Sequence, residues 1–376
     1  MRGKVLITGG AGFIGSHLAD ELLGQGYEVR ALDNLAAQVH GPDAGRPAYL
    51  SPEVELIAGD VRDRDAVRAA LAGVDAVFHL AAMVGVGQSM YQLADYTSVN
   101  NLGTAVLLEA LIERPVGRLV VASSMSLYGE GLYRDREGRL VPGREREREQ
   151  LLARDWELRD DDGERLQPVP TDESKPPTLS SLYALSKYDQ EQMCLMIGRA
   201  YGIPTTALRF FNVYGPRQAL SNPYTGVLAI FAARYLNGNP PMIFEDGHQK
   251  RDFVHVTDIA RACRLALERP LAGPESPGQV LNIGSGQAYT IRGIAESMAE
   301  VLGRQGIAPE ITGHYRVGDI RHCFADITLA RQVLGYAPRV TLAAGLADLA
   351  GWLEGQVACD RVAAAREELA TRGLTV

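Results

Sequence analysis

Lys4 to Thr8 (KVLIT) is a short aliphatic and β-branched run, and Gly9-Gly10-Ala11-Gly12-Phe13-Ile14-Gly15 follows it directly. Ser16 to Ala19 then reads as a helix start, so the chain opens as strand, glycine turn, helix. Glycines suit such a turn because it must be tight, because a Cβ would block close approach of a pyrophosphate, and because helix and strand must touch. The helix N-terminus then faces the anion. Tyr27 to Asp33 (YEVRALD) reads as a second strand, and Asp33 lies 18 residues after Gly15, where an acidic residue is placed to hold a ribose 2′-hydroxyl and to repel a 2′-phosphate. Val54 to Ala58, followed by Gly59-Asp60-Val61, reads as a third strand, and Ala76 to Leu80, running into Ala81 and Ala82, as a fourth. Strands alternating with helical stretches at this spacing imply an α/β fold, a Rossmann-type doubly wound parallel sheet. Ligands of such sheets sit at the carboxyl ends of the strands. His79, inside the fourth strand, reads as a packed core histidine.

The remaining composition narrows the function. With 38 Lys+Arg against 46 Asp+Glu the net charge is −8, which excludes nucleic-acid binding by bulk positive charge. Four cysteines, Cys194, Cys263, Cys323 and Cys359, stand in no CxxC arrangement, which argues against a disulfide scaffold or a metal site. No stretch approaches a membrane span and no signal-peptide pattern opens the chain, so a cytoplasmic location without a membrane partner is expected.

Leu119 to Ala122 forms another strand and ends in Ser123-Ser124, which places a hydroxyl at the carboxyl edge where a nicotinamide is expected. Tyr183-Ala184-Leu185-Ser186-Lys187 lies further on. On a helix, i and i+4 share a face, so the Tyr183 phenol and the Lys187 ammonium address one site. A nearby ammonium favours phenolate, which makes Tyr183 a usable general base with Ser124 as proton relay.

With these motifs in order, the sequence resembles the extended short-chain dehydrogenase/reductases, and among them the nucleotide-sugar epimerases and dehydratases. Matching segments include GGAGFIG (9–15), GDV (59–61), HLAA (79–82), SSMSLYG (123–129), YALSK (183–187), RFFNVYGP (209–216), RDFVHVTDIA (251–260), NIGSG (282–286) and RVGDIRHCFAD (316–326). The resemblance implies NAD as cofactor, held by Gly9, Gly12, Phe13, Ile14, Gly15, Asp33, Asn34, Asp60, Val61, Leu80, Ala81, Ala82, Asn100, Ser123, Tyr183, Lys187, Phe210 and Val213. It implies Ser124, Tyr183 and Lys187 as the catalytic set. A nucleotide-diphosphate sugar, dTDP- or UDP-linked, is implied at Met83, Ser124, Ser126, Tyr183, Asn212, Thr225, Val227, Arg251, Arg316, Asp319 and Cys323, with the two arginines on the diphosphate. Their forked guanidinium suits phosphate.

Family dehydratases carry an Asp-Glu pair where this chain has Met125 and Ser126. Without those carboxylates, elimination lacks a proton donor and acceptor. The expected chemistry is therefore 4-epimerisation of an NDP-hexose or 6-deoxyhexose through a transient 4-keto sugar, with an NDP-uronate epimerase/decarboxylase or an NDP-keto-sugar reductase/dehydratase of the same fold as the alternative and a non-catalytic NAD-binding protein more remote. Cys323 falls where some UDP-hexose epimerases carry a large tyrosine, and it reads as a spacer and not a nucleophile. The nucleotide-binding domain is expected over 1–205 and a substrate lobe, interleaved with returning strands, over 206–376. A charged insert at about 131–175, with eleven acids and nine arginines between Arg134 and Arg165, has too few apolar residues for its own core and reads as an exposed, salt-bridged helix or a mobile flap. A similar long insert occurs in epimerases resembling dTDP-L-rhamnose 4-epimerase. Helices over Asn101–Glu113 and Leu182–Tyr201 are those through which the resemblance implies a homodimer.

Overall fold

In the computed structural model, which describes residues 2–41, 45–219, 226–269, 278–316, 318–353 and 370–372, seven strands form one parallel sheet. They are β1 (Lys4–Thr8), β2 (Glu28–Asp33), β3 (Glu55–Ala58), β4 (Ala76–His79), β5 (Arg118–Ser124), β6 (Thr205–Phe210) and β7 (Gln279–Ile283). Their order is β7-β6-β5-β4-β1-β2-β3, so the chain winds outward one way from β1 and then the other way from β4. The gap between β1 and β4 carboxyl ends is the switch point at which such sheets bind ligands.

The longer helices are α1 (Phe13–Leu23), α2 (Arg64–Ala70), α3 (Gly103–Glu113), α4 (Leu182–Tyr201), α5 (Val227–Leu236), α6 (Val256–Glu268), α7 (Ile291–Val301) and α8 (Leu342–Leu353). Strand alternation decides where they go. Val5 and Ile7 of β1 and Val120 and Ala122 of β5 enter one core with Leu18 and Leu22 of α1 and Ile259 of α6. Leu6, Leu119 and Val121 enter the other, with Val67 of α2, Leu107 of α3 and Leu195 of α4. A sheet apolar on both faces must be covered on both.

The sequence-based strands agree with these to within a residue or two. The first helix is corrected: it starts at Phe13, not Ser16, because Gly12 adopts extended backbone (φ −75°, ψ −176°) and is itself the cap. The helix expected from Asn101 begins at Gly103 and follows a π-turn over Thr97–Leu102.

Beyond the sheet, α5, α7 and α8 close around Tyr214, Phe231, Phe253, Met298 and Leu349. A small sheet there pairs Lys250–Arg251 with Tyr289–Thr290 on one side and His322–Cys323 on the other, which sets Arg251 opposite Cys323. The insert corrects the expectation of a coreless flap. Its strands Leu132–Arg134, Leu140–Pro142 and Gln167–Val169 form an antiparallel sheet, and Tyr133, Leu158 and Leu166 bury a cluster against Val141. These apolar residues are too scattered to show periodicity, and much of the docking is done by charge. Arg146, in the middle of the arginine-glutamate run, has its side chain only 4% exposed and pairs with Glu245 across 99 residues.

Candidate active site

The glycine turn leaves β1 at Gly9, whose φ of +71° requires glycine. Gly15 is fixed by packing, since a Cβ there would lie 2.3 Å from the Gly9 carbonyl oxygen. At Gly12 a Cβ would meet nothing nearer than that same oxygen at 3.4 Å, so its absence keeps a cradle open instead of relieving a clash. No side chain caps α1 and no acid stands in its first turn, whereas Ser181 caps α4 by accepting from Ala184 N and Thr290 caps α7 by accepting from Gly293 N. The first N–H groups of α1 therefore offer themselves to an anion. Asp33, at the end of β2 and buried, accepts from Ala11 N at 3.0 Å and from Leu35 N at 2.9 Å. Its carboxylate thus pins the turn and bars a further anion. Asn34 Nδ2 donates to Asp60, and hydrogen bonds from Arg62 hold the Asp60 carboxyl down at about 2. These features, with buried Val61 after β3 and partly buried Leu80, Ala81 and Ala82 after β4, fit a dinucleotide.

Asn100 is fully buried. Its Oδ1 accepts from Met83 N at 2.7 Å, and its Nδ2 donates to Met83 O and to Ser186 Oγ at 2.9 Å. It ties the loop after β4 to α4. His79 is the core residue expected: Thr8 Oγ1 lies 2.8 Å from Nδ1 and Thr104 Oγ1 2.9 Å from Nε2, and burial drops its pKa to about 3.

Ser124 ends β5. Its Oγ accepts from Ser126 Oγ at 2.9 Å and from Ser126 N at 3.2 Å. Tyr183 reaches it from the first turn of α4, where Ser89 Oγ accepts the Tyr183 N–H at 3.0 Å. Burial raises the phenol's pKa, and the contact with Ser124 opposes that rise. The expectation that Lys187 depresses this pKa is not met in this geometry. The Lys187 ammonium, 3% exposed, donates instead to Gln190 Oε1 at 2.7 Å, and burial lowers its pKa to about 8. Gln190, three residues along the same helix and absent from the sequence reading, donates on to Thr104 Oγ1 at 2.9 Å. Ser123 gives its hydroxyl to Glu191 Oε2 at 2.6 Å, which in turn binds Arg209, so that side chain serves the sheet–helix contact.

Phe210, the last residue of β6, is buried; beyond it Val213 is half-buried, and Asn212 carries a buried Oδ1 without a hydrogen-bond partner among the described residues. Val227 opens α5, while Thr225 lies outside the described residues. Arg251 and Arg316 converge on one carboxylate: Asp319 Oδ1 lies 3.4 Å from Arg251 Nη2, and Oδ2 3.1 Å from Arg316 Nη2. Cys323 is buried, its thiol pushed up to about 12 by burial, so it is no nucleophile at neutral pH. A cavity of about 280 Å³ lies between the insert and Tyr315, Arg316 and Gly318 to Ile320, bordered also by Gly129 and Thr178, from the segments that follow Ser124 and precede Tyr183.

The sequence profile of the NAD-dependent epimerase/dehydratase family matches residues 5–154 and 157–284. The dTDP-L-rhamnose 4-epimerase of Burkholderia thailandensis is 35% identical over 355 residues, spanning 93% of this chain and 94% of that protein. The crystal structure of a Thermotoga maritima UDP-glucose 4-epimerase with UDP-glucose superposes with a TM-score of 0.74 at 31% identity, covering 93% of this chain and 98% of that one. A Thermus thermophilus UDP-glucose 4-epimerase in complex with NAD gives 0.73 at 32%, covering 94% and 100%.

Proposed function

The chain belongs to the NAD-dependent epimerase/dehydratase family, and we propose that it is an isomerase that inverts C4 of a UDP- or dTDP-linked hexose or 6-deoxyhexose. The observation that carries this reading is the meeting of Ser124 and Tyr183 at the carboxyl edge of the sheet, on the second strand over from the one that leads into the glycine turn. Gly12, the α1 N-terminus, Asp33 and Asp60 would hold NAD, which when bound accepts the C4 hydride and returns it. Tyr183 takes the C4 hydroxyl proton, with Ser124, itself oriented by Ser126, holding that hydroxyl and relaying the proton. Because burial opposes phenolate, the base needs positive charge, which Lys187 one turn away would supply by turning from Gln190 toward the phenol. The resulting 4-keto sugar turns over in the pocket before Tyr183 gives its proton back. Arg251, Arg316 and Asn212 anchor the diphosphate throughout, so that the sugar alone moves. In this reading residues 1–205 carry the cofactor, 206–376 mainly the substrate, and the enzyme works as a homodimer.

Dehydration is disfavoured by Met125 and Ser126, both buried and neither able to serve as a carboxylic acid. The test is incubation of the purified protein, with no added cofactor, with a panel of UDP- and dTDP-sugars, followed by NMR and mass spectrometry. A product of equal mass inverted at C4 is expected. Loss of water or CO2, or product only once NADH is added, sinks the epimerase reading.

A further inference from the structure

We infer that the charged insert supports the substrate site, with Arg146 a positioning residue that fixes Asp319, and through it Arg316 and Arg251, for a nucleoside diphosphate. The inference rests on the reading above, that these two arginines hold the diphosphate.

In the run Arg144-Glu145-Arg146-Glu147-Arg148-Glu149 nothing local distinguishes one arginine from another, yet the side chain of Arg144 is 82% exposed and that of Arg146 only 4%. Tertiary contacts select it. Arg146 Nη2 lies 2.7 Å from Glu245 Oε1 and donates to the Asp319 carbonyl at 3.3 Å, while Nη1 donates to Trp156 O at 3.1 Å. Glu245 is almost fully buried and holds φ at +54°, a left-handed conformation that a non-glycine residue keeps only when its surroundings impose it. What imposes it is visible: its second oxygen accepts from Arg321 Nη1 at 2.8 Å. Glu157 of the insert also grips Arg321, and its Oε2 lies 3.1 Å from His322 Nε2.

These contacts converge on the loop that presents the proposed phosphate ligands. Arg251 Nη1 donates to the Arg321 carbonyl at 3.0 Å and Nη2 to the Ile320 carbonyl, and Arg251 and Arg316 share the Asp319 carboxylate. Arg146, Arg148, Arg316 and Asp319 border the same cavity of about 280 Å³. One guanidinium thus bridges the insert, the strained Glu245 and the backbone of Asp319, a geometry a single-point ammonium does not reproduce. Arg146 Nε also lies 3.8 Å from Oε1 of buried Glu130, so an insert undocked at Arg146 would leave the Glu130 and Glu245 carboxylates one cation short in a buried site, and the loop would reorganise.

The test uses the full-length protein with its bound NAD and titrates UDP and dTDP calorimetrically into Arg146→Lys and Glu157→Gln, with Arg251→Ala and Arg316→Ala alongside. Both support variants are expected to melt cooperatively, retain NAD and bind the diphosphates about tenfold more weakly. A purely stabilising role predicts a lower melting temperature with unchanged diphosphate affinity in the folded variants, and that result overturns the inference while leaving the pocket reading intact if Arg251→Ala and Arg316→Ala lose binding. Unchanged affinity in all four overturns both. If Arg146→Lys does not fold, Glu157→Gln, whose side chain is partly exposed, decides alone.

Discussion

Tyr183 and Lys187 sit one turn apart on α4, and their surroundings divide their effects on stability and turnover. Burial raises the phenol and lowers the ammonium to about 8. For Lys187 the folded pKa lies below the unfolded value of 10.5, so the unfolded chain binds the proton more tightly. The destabilisation is full below about pH 8 and is relieved as pH rises from 8 toward 10.5. Lys187→Met should therefore stabilise the cofactor-free protein at pH 7 by about 1–3 kcal/mol, with the gain shrinking by pH 10, while abolishing turnover. Thermal melts of both proteins at the two pH values check this; destabilisation at pH 7 would remove the premise that its charge is strained. Tyr183→Phe should cost roughly a thousandfold or more in kcat with NAD still bound, and retained epimerisation would dismiss Tyr183 as the base.

Within elements, glycines that look alike in GGAGFIG do different work. A Cβ at Gly15 meets the Gly9 carbonyl oxygen at 2.3 Å, whereas one at Gly12 only touches that oxygen at an ordinary van der Waals distance of 3.4 Å. Gly15→Ala should lower stability by about 2–5 kcal/mol, because helix and strand must separate. Gly12→Ala should fold with a near-native melting temperature and bind NAD about tenfold or more weakly, read by cofactor retained through gel filtration. If both alanines behave alike, the division of labour is wrong. The strand–turn–helix was legible because periodicity and glycine spacing are local properties. Gln190 was not, although it stands three residues after Lys187, because a glutamine on a helix has no signature until its partners Thr104 and Lys187 are seen.

For the whole molecule, charge and exposed apolar surface matter most. Leu185 and Met196, eleven residues apart and so on one stripe of α4, are 39% and 54% exposed, and Leu102 just before α3 is 51% exposed. An apolar stripe on helices already covering one sheet face suits isologous pairing. Sedimentation should report a particle of about twice 40.7 kDa, and the double substitution Leu185→Arg, Met196→Arg should return it to the monomer without loss of secondary structure. A wild-type monomer at micromolar concentration would remove the proposed dimer. Among the described residues no helix is long and apolar enough to cross a membrane.

The doubly wound sheet, the glycine cradle, Asp33 at its rim and the placing of Tyr183 and Lys187 one turn apart were legible in the sequence, since each follows from spacing along one strand, turn or helix. Only the tertiary structure decided which way Lys187 points, which arginine of the insert is buried, and that the insert has a core. Glu130, Arg146, Glu245 and Arg321 are separated by up to 191 residues, and the burial that makes their charges matter exists only once the segments that carry them have packed together.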